Sequence, residues 1–311
     1  MRDRLSALAN SKKFAFLVFV TPALLVFISF IVYPVVRSFL YSLYEWDGLQ
    51  RVQFIGLQNF KTVLFSSHPI SKRFWNAAQH NAYALAFVVF VQTSVSLGLA
   101  MLLFQKIRGK RFFQTVIFLP VTLSVVVIGF LFNLLLHPSW GAVNQVIRLL
   151  GFSNFYFPWL GNRMMALTSI MLVNTWRWAG FPALIFLAGL NNIPTSIIES
   201  TKLDGASGWT RFFRIYLPLL VPQLIMVLIL SMAGSIKMFA IVYALTGPSG
   251  SPNHATDVMG TLFYRTAFGD VTGLADKGLG ATIGIIIVFI STVLTVITVT
   301  LLQRRQVELY G

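Results

Sequence analysis

The sequence has no cysteine, and only nine of its 311 residues are acidic. The first absence excludes disulfides, thiolate metal sites and thiol catalysis. Histidine is scarce too. His68, His80, His137 and His254 show no i, i+4 pairing that would hold a metal, and they read as loop or interface residues. No G-x-x-x-x-G-K stretch occurs, so the chain has no P-loop of its own, and no Gly-x-Ser-x-Gly elbow occurs either. No catalytic residue, metal site or bound cofactor is expected. Charge of either sign is sparse, at 11% of residues, against 56% hydrophobic. With a mean hydropathy of +0.76, the chain lacks the charge that a soluble globule of this length needs on its surface.

What fills the space is long apolar runs. A helix needs about 20 mostly apolar residues to cross a bilayer. Six stretches qualify, near Phe14–Val36, Ala82–Phe104, Phe112–Leu136, Met165–Leu190, Tyr216–Leu245 and Leu279–Leu302. They are continuous rather than alternating, which excludes a β-barrel. The first is too long for a signal peptide, carries Pro22 and Pro34 and lacks a small-x-small cleavage site, so it reads as a retained helix. The expected fold is an all-α integral membrane protein with six transmembrane helices. Prolines at 22, 34, 120 and 182 fall inside runs, and Pro218 and Pro222 near the start of the fifth. Each bends its helix, by ordinary tolerance or around a cavity.

The net charge of +15 raises nucleic-acid binding, and the placement of the charge argues against it. Arg2, Arg4, Lys12 and Lys13 precede the first run. Lys106, Arg108, Lys110 and Arg111 crowd the link between the second and third, Lys202, Arg211 and Arg214 lie between the fourth and fifth, and Arg304 and Arg305 follow the sixth. The alternate loops carry only scattered bases. This is the positive-inside pattern, which puts both termini in the cytoplasm and lets the basic links meet anionic membrane lipid. Segments 45–80, 137–164 and 246–278 then lie outside, and 105–111 and 191–215 inside. The expected organisation is residues 1–80 as an N-terminal span and first outer segment, 81–302 as a core with an inner element at 191–218, and 303–311 as a tail.

The inner element holds two of the rare acids, in ESTKLDGASGWTRFFRIYLPLL, Glu199–Leu220. Pro194 suits a helix start, and TSIIESTKL reads as a helix of about two turns. Asp204-Gly205 ends it with a left-handed glycine, and Ser207 caps a second helix bearing Trp209, Phe212, Phe213 and Tyr216. Physics leaves two readings open: an amphipathic hairpin lying on the membrane, or an element presented to something beyond it.

The run Glu199, Ser200, Thr201, Asp204, Gly205, Ala206, followed by Ile215, Leu217 and Pro218, resembles the cytoplasmic signature of ABC importer permeases, with Ser200 and Thr201 in place of two alanines. FIGLQNF at 54–60, RFFQTVIFLP at 111–120, WRWAGFPALIFLAGLNNIP at 176–194, KMFAIVYALTG at 237–247 and LFYRTAF at 262–268 are similar to motifs of its sugar-importing members, of the MalF/UgpA type. The turn Thr246-Gly247-Pro248-Ser249-Gly250 and Ala240 depart from the usual pattern near the outer mouth. The resemblance covers nearly the whole chain. It implies the type I importer permease fold in a bacterial or archaeal cytoplasmic membrane. It also implies a MalG-like second permease, two ABC ATPase subunits that bind ATP and Mg, and a periplasmic or lipid-anchored solute-binding protein. The function implied is ATP-driven import of a sugar, oligosaccharide or polyol by alternating access, in a subunit that is not itself an enzyme. Glu199, Asp204, Gly205 and Ala206 are the implied ATPase-coupling residues. A glycerol-3-phosphate importer of the same family and a secondary solute carrier are the alternatives. None of the nine acids lies within the six runs, which counts against a proton-coupled carrier.

Polar groups within spans are costly and therefore candidates for the solute path. Asn174, Trp178 and Phe181 share one face of the fourth run, and Ser231, Ser235 and Met238 share one of the fifth. Two readings stay open for these stripes: a sugar path, or helix packing through small residues such as Gly234. By resemblance, Trp178, Phe181, Ser231, Gly234, Ser235 and Met238 match positions lining the sugar site of the family's maltose member, which carries amides where this chain has Ser235 and Met238. Arg177 lies about halfway along the fourth run, either recognising an anion or, as the main expectation, pairing with backbone carbonyls. Lys237 near the outer end of the fifth snorkels, and Asn133 bonds between helices.

Overall fold

The structure, a computed structural model, describes residues 12–48, 50–152, 154–236, 238–269 and 275–310, with side chains undescribed at 12–15, 17, 202 and 301–310. Three helices are each long and apolar enough to cross a membrane: Val18–Ser42, Pro69–Phe104 and Lys277–Thr300. Three further pairs qualify only jointly, each bent at a short break, so the described residues hold three such helices, or up to six when each bent pair counts once.

The breaks have local causes. In the third run, Lys110–Thr122 meets Val125–Leu135 at 99°. Pro120 offers no N–H and its ring crowds the Val116 carbonyl. Leu123 then turns extended, at ψ 143, and Ser124 restarts a helix by accepting from the Val126 N–H at 3.4 Å. At 1.5 Å per residue, arms of 13 and 11 residues reach about 20 and 16 Å, short of a hydrocarbon layer of about 30 Å. The expected run Phe112–Leu136 is therefore not one straight helix but this angled pair, which is long and apolar enough for a span only when both arms are taken together. In the fourth run, Ala166–Trp178 and Gly180–Asn191 are bent by 47°. Pro182 sits four residues after Trp178, whose carbonyl it leaves without a partner in the ladder. A Cβ on Gly180 would overlap the Ile117 carbonyl, so the kinked helix lies directly on the third run.

The fifth run departs furthest from expectation. Gly208–Leu219 turns by 69° into Val221–Ile236, so the expected run has a corner at Leu220, between Pro218 and Pro222, and does not start as one straight helix. Val221–Ile236 itself stops short, and a separate helix, Ala240–Thr246, follows after Phe239 at φ −134. The second span begins at Pro69 rather than near residue 82, so the division at 80/81 falls inside one helix. The last helix runs without interruption from Lys277 to Tyr310.

Three turns widen from α to π hydrogen bonding. Tyr33 and Leu217, each just before a proline, donate back five residues to the Ile28 and Phe212 carbonyls. The third is Val88–Gln92, where Thr93 donates to the Val88 carbonyl with no proline nearby.

The all-α expectation also needs one amendment. Tyr44–Asp47 and Gln50–Phe54 form an antiparallel hairpin, with Tyr44 opposite Phe54. Asn59 Nδ2 donates to the Ser42 and Tyr44 carbonyls, both at 2.9 Å, and fastens the hairpin. The link at 246–268 is locked by charge. Asp257 and Arg265 pair at 2.6 Å with 1% and 5% of their side chains exposed, and Arg265 Nη1 also donates to the Pro248 carbonyl at 2.9 Å. Thr261 Oγ1 donates to Asp257 at 2.7 Å. This network ties the turn at 246–258 to the helix Met259–Phe268.

Candidate solute pathway and coupling element

Four irregularities meet at one cavity of about 250 Å³. Val88 and Gln92 come from the π-turn of the second span and Val125 from just past the third-run corner. Arg177 and Trp178 come from the fourth-run kink, and Met238–Ile241 from the interruption of the fifth. The fold thus bends its helices where the cavity lies.

Of the residues singled out from sequence, the cavity brings together Asn174, Arg177, Trp178, Ser231, Gly234, Ser235 and Met238. Phe181 does not line it, but its ring lies against Trp178 with centroids 5.5 Å apart. Lys237 lies outside the described residues. The two stripes do face one another, although Met238 gets there by the interruption of the helix rather than by helical spacing. Gly234 has open space where a Cβ would stand. Asn133 donates to the Gly129 carbonyl in its own helix at 2.9 Å and across to Ala244 at 3.4 Å. Arg177 departs from its main expectation. Its guanidinium lies 5.6 Å from the Trp178 ring, and its buried Nε has no carbonyl partner among the described residues.

Two residues were missed from sequence. Gln92, 1% exposed, accepts from Asn174 Nδ2 at 3.2 Å and joins the second and fourth spans across the cavity wall. Asn81 holds the broken fifth helix. Its Nδ2 donates to the Ser235 and Ile236 carbonyls at 3.0 and 3.3 Å, and its Oδ1 accepts from the Met259 N–H at 2.8 Å. Hydrocarbon supplies no partners for a broken helix end, and Asn81 supplies them. Gln92 is an amide in an otherwise apolar run, which is the signal that would have found it, whereas Asn81 stands beside Gln79 and His80, just before that run, and carries no such signal.

The element at 191–218 folds as its residues dictate. Thr195–Leu203 is helical, and the Ala206 N–H closes its end onto the Thr201 carbonyl at 3.1 Å. Gly205 takes φ +68. Ser207 Oγ accepts from the Thr210 N–H at 3.2 Å and starts Gly208–Arg211. Glu199, Asp204 and Gly205 are exposed, and Ala206 is half-buried. Leu203 and Trp209 are 89% and 75% exposed, a large apolar surface without cover in this chain.

Bent apolar spans around a polar and aromatic cavity, with an exposed helix–turn–helix on one link, define a polytopic membrane protein built to pass a solute. Residues 93–307 match the family model described as binding-protein-dependent transport system inner membrane component. The chain belongs to this family, whose members here are ABC-transporter permeases, the non-catalytic membrane subunits. It is 29% identical to the probable starch degradation products transport system permease protein AmyD of Thermoanaerobacterium thermosulfurigenes, covering 94% of each chain. It is 33% identical to the lactose transport system permease protein LacF of Rhizobium radiobacter, covering 80% of this chain and 82% of that one. A chain of a bacterial ABC transporter involved in the import of the acidic polysaccharide alginate shares the fold, with a TM-score of 0.78 at 21% identity over 94% of this chain and 96% of that one.

Proposed function

We propose that the chain is one of two permease subunits of an ATP-driven importer that carries a sugar or oligosaccharide through the cavity by alternating access. The convergence of four helix irregularities on that cavity is the observation that carries this reading. A broken or widened helix can occupy two arrangements where a straight one cannot, and such two-state elements are what a ligand or partner biases. The lining suits a carbohydrate: Trp178 offers an aromatic face, and Asn174, Ser231 and Gln92 offer hydrogen-bonding groups. At about 250 Å³ the space is just under the roughly 300–1,000 Å³ of ordinary ligand sites, in keeping with a site completed by a second permease subunit.

In the same reading the six runs cross a bacterial or archaeal cytoplasmic membrane with both termini inside. Thr195–Arg211 then enters a cleft of an ABC ATPase that binds the ATP and Mg. Glu199 makes a polar contact there, Leu203 and Trp209 bury their exposed surface, and Asp204, Gly205 and Ala206 hold the turn. Closure of the ATPase pair moves this element, and the corner at Leu220 passes the movement to Val221–Ile236 and its broken end at the cavity. A solute-binding protein docks on the outer links braced by Asp257 and Arg265. The names of AmyD and LacF, a starch-product and a lactose permease, favour a carbohydrate cargo.

Because the chain has no cysteine, one placed at Gly234 is its sole thiol, and label on this chain reports on the cavity. In the assembled complex, Gly234→Cys is expected to react with a water-soluble maleimide, to be protected by transported sugar, and to change its reactivity when the ATPase is locked with ATP. Reactivity indifferent to both sugar and nucleotide contradicts the pathway.

A further inference from the structure

The cavity carries a charge that nothing in it balances. Arg177 lines it, and none of the other lining residues is acidic. Arginine stays protonated, so this cation cannot escape its surroundings by losing a proton. Its Nε is shielded from solvent and meets no acceptor among the described residues, and Ser231 Oγ, on the facing helix, is likewise buried without a partner. Buried polar groups in folded proteins are normally paired, and an exception calls for a ligand, an ion or water to complete it. The nearest amide pair is already engaged, since Gln92 Oε1 accepts from Asn174 at 3.2 Å. Among the described residues, the ion pair Arg265–Asp257 belongs to the outer link rather than to this cavity.

A guanidinium that lines a cavity beside an aromatic ring, with no acidic residue in the lining, matches an anion attached to a sugar. Its planar fork pairs with a carboxylate or phosphate, and the Trp178 ring beside it offers a face for sugar C–H groups. We propose that the solute is a carbohydrate bearing an anionic group, with Arg177 pairing with the anion and Ser231 bonding an adjacent oxygen. The inference rests on the reading of this cavity as the sugar pathway, and it narrows the cargo from neutral to charged sugars.

The test is uptake by the complete importer in liposomes with ATP inside. Three probes are compared: a galacturonic acid trimer, the same trimer with its carboxyls reduced, and a hexose 6-phosphate. Wild type and the Arg177→Gln and Arg177→Lys variants share one binding protein, so differences between them report on the permease. Loss of a charge-assisted hydrogen bond predicts that Arg177→Gln lowers uptake of the anionic probe roughly tenfold to a hundredfold, with the reduced trimer changed less than about threefold. Arg177→Lys keeps the cation without the fork and is expected to fall between the two for the anionic probe alone. That pattern is readable even where Arg177→Gln fails to assemble. Preference for the trimer or for the hexose phosphate separates carboxylate from phosphate. ATP-driven uptake of the reduced trimer alone, or an equal fall for charged and neutral probes, overturns the inference and leaves the permease reading standing. Wild type without ATP-driven uptake of any sugar overturns that reading as well.

Discussion

Asn81→Leu is the substitution that most directly probes the broken fifth helix. Leucine is close in volume and suits a membrane helix, so the change removes hydrogen bonds with little loss of bulk. Three groups depend on the amide: the Ser235 and Ile236 carbonyls and the Met259 N–H. The Ser235 carbonyl keeps a second donor in the Met238 N–H at 3.3 Å. The Ile236 carbonyl and the Met259 N–H lose the partner that Asn81 provides. Each unsatisfied buried group costs about 1–3 kcal/mol, so the substitution destabilises by about 2–6 kcal/mol. The break lies at the cavity wall, so the loss falls there and not on the coupling element. Thermal unfolding of the purified complex reads the stability. Transport per ATP hydrolysed reads the function, and it is expected to fall while basal ATPase persists. Asn81→Asp, which sets a buried carboxylate oxygen about 3 Å from the Ser235 and Ile236 carbonyl oxygens, is expected to lose at least as much stability as the leucine. Unchanged melting and unchanged transport in Asn81→Leu refute the argument that Asn81 holds the break.

The other consequences are simpler. Gly205 has φ +68 with nothing within 4 Å of an added Cβ, so backbone strain alone penalises a side chain there. Gly205→Ala is expected to cost about 1–2 kcal/mol of turn stability and to reduce sugar-stimulated ATPase, and Gly205→Asn, which tolerates the left-handed region, to retain most of it. Equal loss in both variants would point to crowding against a partner instead. Asp257→Asn removes the negative charge that balances a buried arginine and is expected to cost about 3–5 kcal/mol, seen as a lowered melting temperature. Adding Arg265→Met is expected to recover much of that loss, and a double variant no more stable than the single one contradicts the pairing argument.

Local chemistry made the coupling element legible in the sequence. The helix Thr195–Leu203, the left-handed Gly205 and the Ser207 cap depend on neighbours within a few residues, and each stands where its residues placed it. The facing stripes of Asn174 and Trp178 against Ser231 and Ser235 were readable for the same reason, since helical spacing fixes a face. What escaped was set at a distance. A proline in an apolar run predicts a bend, but not whether the bend is the 47° after Trp178 or the 99° after Thr122. The difference lies partly in Ser124, whose capping role in that run depends on Leu123 turning extended. The interruption at 238–239 carries no proline, and it is held by Asn81 from another helix. Hydropathy alone sees these stretches as continuous, because single polar residues such as Ser124 do not interrupt an apolar run of this length. Asp257 went unremarked and Arg265 read only as a scattered base, since only the fold shows that they are buried together.

In the proposed function, ATP hydrolysis by a partner moves a sugar through this chain by way of the element at Glu199. The measurement that meets it most directly is sugar uptake into liposomes bearing the whole complex, with ATP trapped inside or omitted, for wild type and Glu199→Ala. The account predicts uptake that requires ATP and falls in the variant while the complex stays assembled. Uptake that proceeds without ATP, or that Glu199→Ala leaves unchanged, contradicts it.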